Sequence, residues 1–251
     1  MSCPSIQTTS VKVKNGTILI VRDDLLPGGT KQRAGVPFLQ YFKNQGIKEF
    51  VYASPFSGFA QIALSICANL VGVKCKIFSQ VDVKTKQISN FSKTASSHAE
   101  IILCSSLEDA EKRAFDYCFN NQDSFLVPLG MNHPVFIDFL KNDLSKQLEL
   151  IKFKSIWVPV GSGTLSKVFR DITPNEINIK CVDVKVLTEE DIRIKNVKNM
   201  HNVRYMKVFE NFHDPCLNIP PVPSNIFYDA KLWKYVFNLA EDGDIWWNVA
   251  S

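Results

Sequence analysis

Short apolar runs recur along this chain, and the segments between them leave room for little but parallel strands joined by helices. The runs are TILIVR (17–22), EFVYAS (49–54), KCKIFS (74–79), EIILC (100–104), SFLVPL (124–129), SIWVPV (155–160) and KCVDVKVL (180–187). All are of strand length and rich in β-branched and aromatic residues. Helical periodicity fills the gaps. Residues 31–45 place Val36, Phe38, Leu39 and Phe42 at helical spacing, and FAQIALSICANLVG (59–72) reads as a buried helix ending at a C-cap glycine. LEDAEKRAFDYCFN (107–120), a segment over about 134–150 and LSKVFRDI (165–172) follow. Residues 188–226 read as irregular around the proline cluster NIPPVPSN (218–225). The chain closes with a helix, YDAKLWKYVFNLA (228–240), and a strand, DIWWNVAS (244–251). Strands alternating with helices predict an α/β fold of parallel βαβ units, with ligands at the carboxyl ends of the strands.

Composition narrows the class. The chain has 251 residues, 45% of them hydrophobic and 18 of them phenylalanine, enough for a sizeable core. The organisation expected is one unit over 1–251, with a smaller subdomain at about 50–130 inserted in it. Net charge is +4, and most Lys and Arg residues are interleaved with acids, the pattern of a solvated surface. The basic run RIKNVKNMHNVRYMK (193–207), with Tyr205 and Phe209 nearby, leaves a nucleic-acid partner open but not favoured. Seven cysteines without a CxxC pair, several inside apolar runs, predict reduced buried thiols in a cytoplasmic protein and no metal site. No apolar run has membrane-spanning length, so no membrane association is expected.

Three stretches carry chemistry. In VPVGSGTLSKVF an apolar strand runs into Gly161, Ser162, Gly163 and Thr164 and then a helix. Such glycines let backbone N–H groups converge on an anion, hydroxyls add donors, and the helix N-terminus adds its positive dipole end. The loop lacks the GK[ST] ending of a nucleotide-binding P-loop, and an ordinary strand–helix turn would look alike. In RDDLLPGGTKQRA (22–34) two acids precede a Gly-Gly turn, then Lys31. This stretch matches a phosphoribosyltransferase loop superficially, with Asp23 and Asp24 then acting through Mg²⁺. That reading leaves Lys31 and the later GSGT loop unexplained. In SPFSGFAQIALS (54–65) a strand end meets a small polar turn, where Ser57 and Gly58 either face a ligand or simply begin a helix. The histidines His98, His133, His201 and His213 are dispersed, with His133 in GMNHPVF the one nearest a polar turn.

Taken together, DDLLPGGTKQR, SPFSGFAQIALSICANLVGVKC, VPVGSGT and YDAKLW resemble the pyridoxal-phosphate enzymes of the tryptophan synthase β superfamily, fold type II. Within it the chain is most similar to the 1-aminocyclopropane-1-carboxylate deaminase and D-cysteine desulfhydrase group. The resemblance runs from about residue 18 to the end. It implies a tryptophan synthase β-like α/β fold with two open parallel-sheet subdomains around a cofactor cleft. It also implies a homodimer that uses pyridoxal 5′-phosphate in amino acid metabolism, as a lyase or deaminase acting on a small amine or amino acid. Carried over residue by residue, Lys31 would form the Schiff base with the cofactor. Gly161, Ser162, Gly163 and Thr164 would hold its phosphate, and Gly58 would face its ring. Asp229 would face the pyridine nitrogen and make the ring a better electron sink. Tyr228 would serve as acid, base or nucleophile, and Ser57 would hold the substrate carboxylate or relay a proton. The chain departs from the group where Gly58 or Phe59 replaces an asparagine, where the phosphate loop is one glycine short, and in having little before its first strand. The departures leave two further readings: an amine carried on a nucleic acid or other large molecule, and a non-catalytic cofactor binder.

Overall fold

The computed structural model describes residues 4–251. The chain divides into two compact units, Lys31–Phe139 and residues 4–30 together with Leu140–Ser251. The segment 50–130 falls within the first.

The first unit holds a four-stranded parallel sheet of β3 (Glu49–Ser54), β4 (Lys74–Gln80), β5 (Glu100–Cys104) and β6 (Ser124–Val127), in the order β5-β4-β3-β6. Its helices are most of α1 (Thr30–Lys43), α2 (Ala60–Val71), α3 (Asn90–Ala95), α4 (Leu107–Asn120) and the start of α5 (Pro134–Leu148). Val51, Ala53, Phe78 and Cys104 pack with Ala110 and Ala114 of α4, whose small side chains bring the helix close to the sheet. Elsewhere in the unit Phe38 meets Phe50, Phe125 and Phe136 at centroid distances of 6.5, 5.8 and 5.8 Å. Helix α2 stops at Gly72 in the left-handed conformation (φ +69°), as the sequence predicts.

The second unit holds six strands in the order β1-β2-β10-β7-β8-β9. They are β1 (Thr8–Val13), β2 (Gly16–Arg22), β7 (Ser155–Val160), β8 (Asn178–Asp183), β9 (Val203–Lys207) and β10 (Asp244–Asn248). All neighbours are parallel except β1 with β2. The rest of α5, from Leu140, and helices α6 (Thr164–Ile172), α7 (Ile192–Lys198) and α8 (Trp233–Leu239) complete it. The tandem tryptophans of β10 point to opposite faces, as a period of two requires. Trp246 joins Ile18, Ile20, Trp157, Val182, Leu232 and Val236 in one cluster, and Trp247 packs edge-on against Phe169 of α6 at 4.9 Å.

Four expectations are corrected. A strand, β1, precedes residue 17; it lies at the sheet edge with alternate residues exposed, so its run of Thr, Ser and Lys carries little apolar signal. Residues 188–226 are not wholly irregular. Helix α7 begins where the Asp191 side chain accepts the Arg193 N–H and buries only Ile194 and Val197, and β9 follows as the other edge strand. The run 180–187 stops being a strand at Asp183, whose carboxylate accepts the Lys185 N–H at 2.8 Å and turns the chain. The helix expected over 228–240 is a 3-10 turn at Asp229–Leu232 followed by α8. The cysteines described are free thiols, all buried but the half-buried Cys118; Cys3 lies outside the described residues. Among the described residues no helix is long and apolar enough to cross a membrane.

Candidate active site

In the second unit the fully buried β7 delivers Gly161–Thr164 at its carboxyl end. Gly163 occupies the N-cap of α6 with φ +78°, and a Cβ there would stand 2.8 Å from Val197 Cγ2, so both the backbone and the space require glycine. No side chain caps this helix. Its first turn therefore presents N–H groups and the positive dipole end, with the Ser162 and Thr164 hydroxyls 3.1 Å apart beside it. That donor set suits a phosphate ester. Gly161 is required for another reason. A Cβ there would lie 2.7 Å from the Tyr228 hydroxyl and 2.9 Å from its ring, so Tyr228 packs directly over the loop. Burial pushes the Tyr228 phenol well above its ordinary range, reinforced by the charges of Asp229 and Asp183 and opposed by the Gly161 backbone.

Beside the loop lie the motif residue Asp229 and, at two strand ends, groups that motif spacing does not show. Asp229 is fully buried, and its two oxygens accept the N–H groups of Val249 at 2.8 Å and Ala250 at 3.2 Å, just past β10. Asn248, at the end of β10, donates to the Pro223 carbonyl at 2.7 Å while its own fully buried Oδ1 has no partner. Asp183 ends β8 opposite Val160 and accepts the Tyr205 hydroxyl as well as the Lys185 N–H. Tyr205 is pushed upward by burial and then by Asp183. The strand-end rule could have found Asn248 and Asp183, but in the sequence each sits inside a run that reads as continuous strand.

In the first unit Lys31 is the second residue of α1 and is half-buried, with no acid in the first helical turn. Ser57 and Gly58 form the turn before α2, closed by a Gly58 N–H to Pro55 carbonyl bond of 3.1 Å. A Cβ on Gly58 would meet Ser54 Oγ at 2.9 Å, and Ser57 is buried. One turn on, the buried Gln61 accepts the Ser92 hydroxyl at 2.8 Å and leaves its Nε2 without a partner, a polar group the motif did not single out. The half-buried His133 packs among the rings of Phe38, Phe42 and Phe125 at 5.4–5.7 Å.

The acids of the opening motif have protein partners. Arg22 grips Asp24 through two bonds of 2.8 and 2.7 Å, and Asp23 accepts from Thr30 and Trp247. The Gly-Gly turn between them bends with Gly29 at φ +60° and leads into α1.

No described family matches the chain at the level of sequence, and no curated protein matches it either. Solved structures do. An ACC deaminase homologue superposes with a TM-score of 0.75 at 16% identity, covering 99% of this chain and 90% of that one. The O-acetylserine dependent cystathionine beta-synthase of Helicobacter pylori gives 0.69 at 15% identity, over 100% and 94% of the two chains. The diaminopropionate ammonia lyase of Escherichia coli, in its holo form, gives 0.66 at 9% identity, over 99% and 85%. Identities this low speak to fold, and the fold they share with this chain is the tryptophan synthase β-like arrangement of parallel-sheet α/β units.

Proposed function

We propose that this protein is a pyridoxal 5′-phosphate-dependent enzyme that acts on a small amine or amino acid, as a lyase or deaminase. The observation that carries the reading is the Gly161–Thr164 loop, an uncapped helix N-terminus flanked by two hydroxyls at the carboxyl end of a buried strand. The likeness in fold to deaminase and ammonia-lyase structures supports it. When bound, the cofactor supplies an electron sink for a carbanion next to the substrate nitrogen. The chain supplies the rest. Lys31 is the covalent anchor, and Gly161–Thr164 hold the phosphate. Gly58 would face the ring, and Asp229, oriented by the Val249 and Ala250 N–H groups, would set the charge at the ring nitrogen. Tyr228, packed over Gly161, is the group placed for acid or base work beside the loop. Ser57 holds the substrate carboxylate. The assembly proposed is a homodimer in the cytoplasm, and sedimentation tests the first half of that statement.

Mixing the purified protein with pyridoxal phosphate should give a visible absorbance band. Borohydride should fix that band to the peptide containing Lys31. Lys31→Ala should lose both, and a panel of D- and L-amino acids should shift the wild-type band for those that reach the site. Wild type without labelling, or Lys31→Ala that keeps it, sinks the proposal. A band that no amine shifts identifies a non-catalytic binder. A band that shifts only with an amine on a nucleic acid identifies a macromolecular substrate.

A further inference from the structure

We propose that Asp23, Thr30 and Trp247 form a lock that sets the position of the residue after Thr30, the anchor lysine Lys31. The proposal rests on the reading of Lys31 given above. Three buried side chains close a triangle. Thr30 Oγ1 donates to Asp23 Oδ2 at 2.7 Å. The indole N–H of Trp247 is shared between Thr30 Oγ1 at 2.8 Å and Asp23 Oδ2 at 3.1 Å. The backbone adds a fourth bond, from the Thr30 N–H to the Val249 carbonyl at 2.9 Å. Asp23 and Trp247 are 0% exposed and Thr30 is 3% exposed, so water does not compete for these bonds.

Two features set the triangle apart from ordinary core packing. Thr30 is the first residue of α1, one past the capping position, so its hydroxyl is not called on to cap its own helix. Thr30 instead sends its proton to Asp23 and takes one from Trp247, both outside the helix. Burial of a β10 tryptophan does not by itself demand a polar partner: the adjacent Trp246 is equally buried and its indole nitrogen has none. The bonds of Trp247 therefore mark a specific tie between a central strand and the first residue of α1. Trp247 is itself held edge-on by Phe169, and its strand is paired on both sides. The φ and ψ of Thr30 fix where the Lys31 side chain leaves the backbone, so what holds Thr30 aims the amine.

The test compares Thr30→Val, which keeps the branched shape and loses the hydroxyl, with Thr30→Ser, which keeps the hydroxyl. Two reactions are followed by peptide mass mapping, well below each variant's thermal midpoint. The first is reductive methylation by formaldehyde without cofactor, the second pyridoxal phosphate trapped by borohydride. In Thr30→Val, methylation of Lys31 relative to the other lysines should rise roughly threefold as the side chain loosens, and cofactor capture should fall roughly tenfold, within the range that small misplacements produce. Thr30→Ser should return both to within about twofold of wild type. Opposite movement in the two reactions, rescued by serine, is not what general destabilisation produces. Wild-type rates in a folded Thr30→Val, or failure of serine to rescue, overturns the lock. If wild-type protein takes no cofactor on Lys31, the proposed function fails, and methylation alone still decides whether the triangle holds the lysine.

Discussion

Asp229 is the residue on which the second unit's carboxyl edge turns, because it serves as acceptor for two successive backbone N–H groups. Asp229→Ala leaves both buried donors orphaned and should cost about 2–4 kcal/mol in urea unfolding, whereas Asp229→Asn keeps one acceptor and should cost about half as much. Gly161→Ala forces a Cβ into the Tyr228 ring and hydroxyl. It should be destabilising by about 1–3 kcal/mol, and pairing it with Tyr228→Ala should recover part of that in a double-mutant cycle. Glycine spacing alone flagged Gly161 and Gly163 in the sequence. What it could not show is that one glycine serves a tyrosine far along the chain and the other a valine of α7, because those contacts depend on strand order. Asn248 and Asp183 stayed hidden for a related reason. The end of a strand is set by side-chain hydrogen bonds, and an apolar run does not show where those begin.

Among the elements, buried strands were readable and edge strands were not. β7 and β10 are buried along their whole length and stand out as apolar runs. β1 and β9, at the two edges of the same sheet, alternate with polar residues that water satisfies as well as a neighbour would. The amino ends of the central strands meet at Asp244, where one carboxylate oxygen accepts from Trp157 Nε1 at 2.8 Å and from Lys180 Nζ at 2.7 Å. Asp244 is almost wholly buried and the Lys180 side chain is 12% exposed. Asp244→Asn removes the charge that compensates Lys180 and should cost about 3 kcal/mol, read as a lower urea midpoint with an unchanged slope. Adding Lys180→Met should recover part of the loss.

At the scale of the molecule, buried cysteines and tyrosines together set the alkaline limit of stability. Burial pushes Tyr52 up to about 12 from its ordinary 10, and Tyr228, Tyr205, Tyr235 and Tyr117 also shift upward. A group whose folded value is raised contributes stability that is whole below its unfolded value and is lost as pH climbs towards the folded one. Stability should therefore fall from about pH 9 upward, first through thiols such as Cys75 and Cys181 that burial pushes up and then through the tyrosines, as the unfolded chain sheds protons that the folded chain keeps. Tyr52 alone accounts for up to about 2–3 kcal/mol of that fall by pH 12. Lys231 acts in the opposite sense. Burial lowers it while its ammonium donates to the Asn211 and Phe212 carbonyls, so its share of stability improves with pH up to the ordinary lysine range. Urea unfolding of wild type and Tyr52→Phe at pH 8, 10 and 11 should show a shallower alkaline decline in the variant. An equal decline would mean that Tyr52 titrates alike in both states.

The sheet order β1-β2-β10-β7-β8-β9 seats the last strand between β2 and β7, which bracket an entire folded unit in sequence. A ribosome delivers these strands in chain order. From the time β7 is made until β10 follows, β2 and β7 thus present open edges with a strand-wide gap between them, and both are hydrophobic enough to recruit another chain. Residues 244–248 act as a keystone that arrives last. A chain shortened by those residues should collapse as two half-sheets with a strong tendency to pair with copies of itself, and an added peptide of the β10 sequence should suppress that pairing.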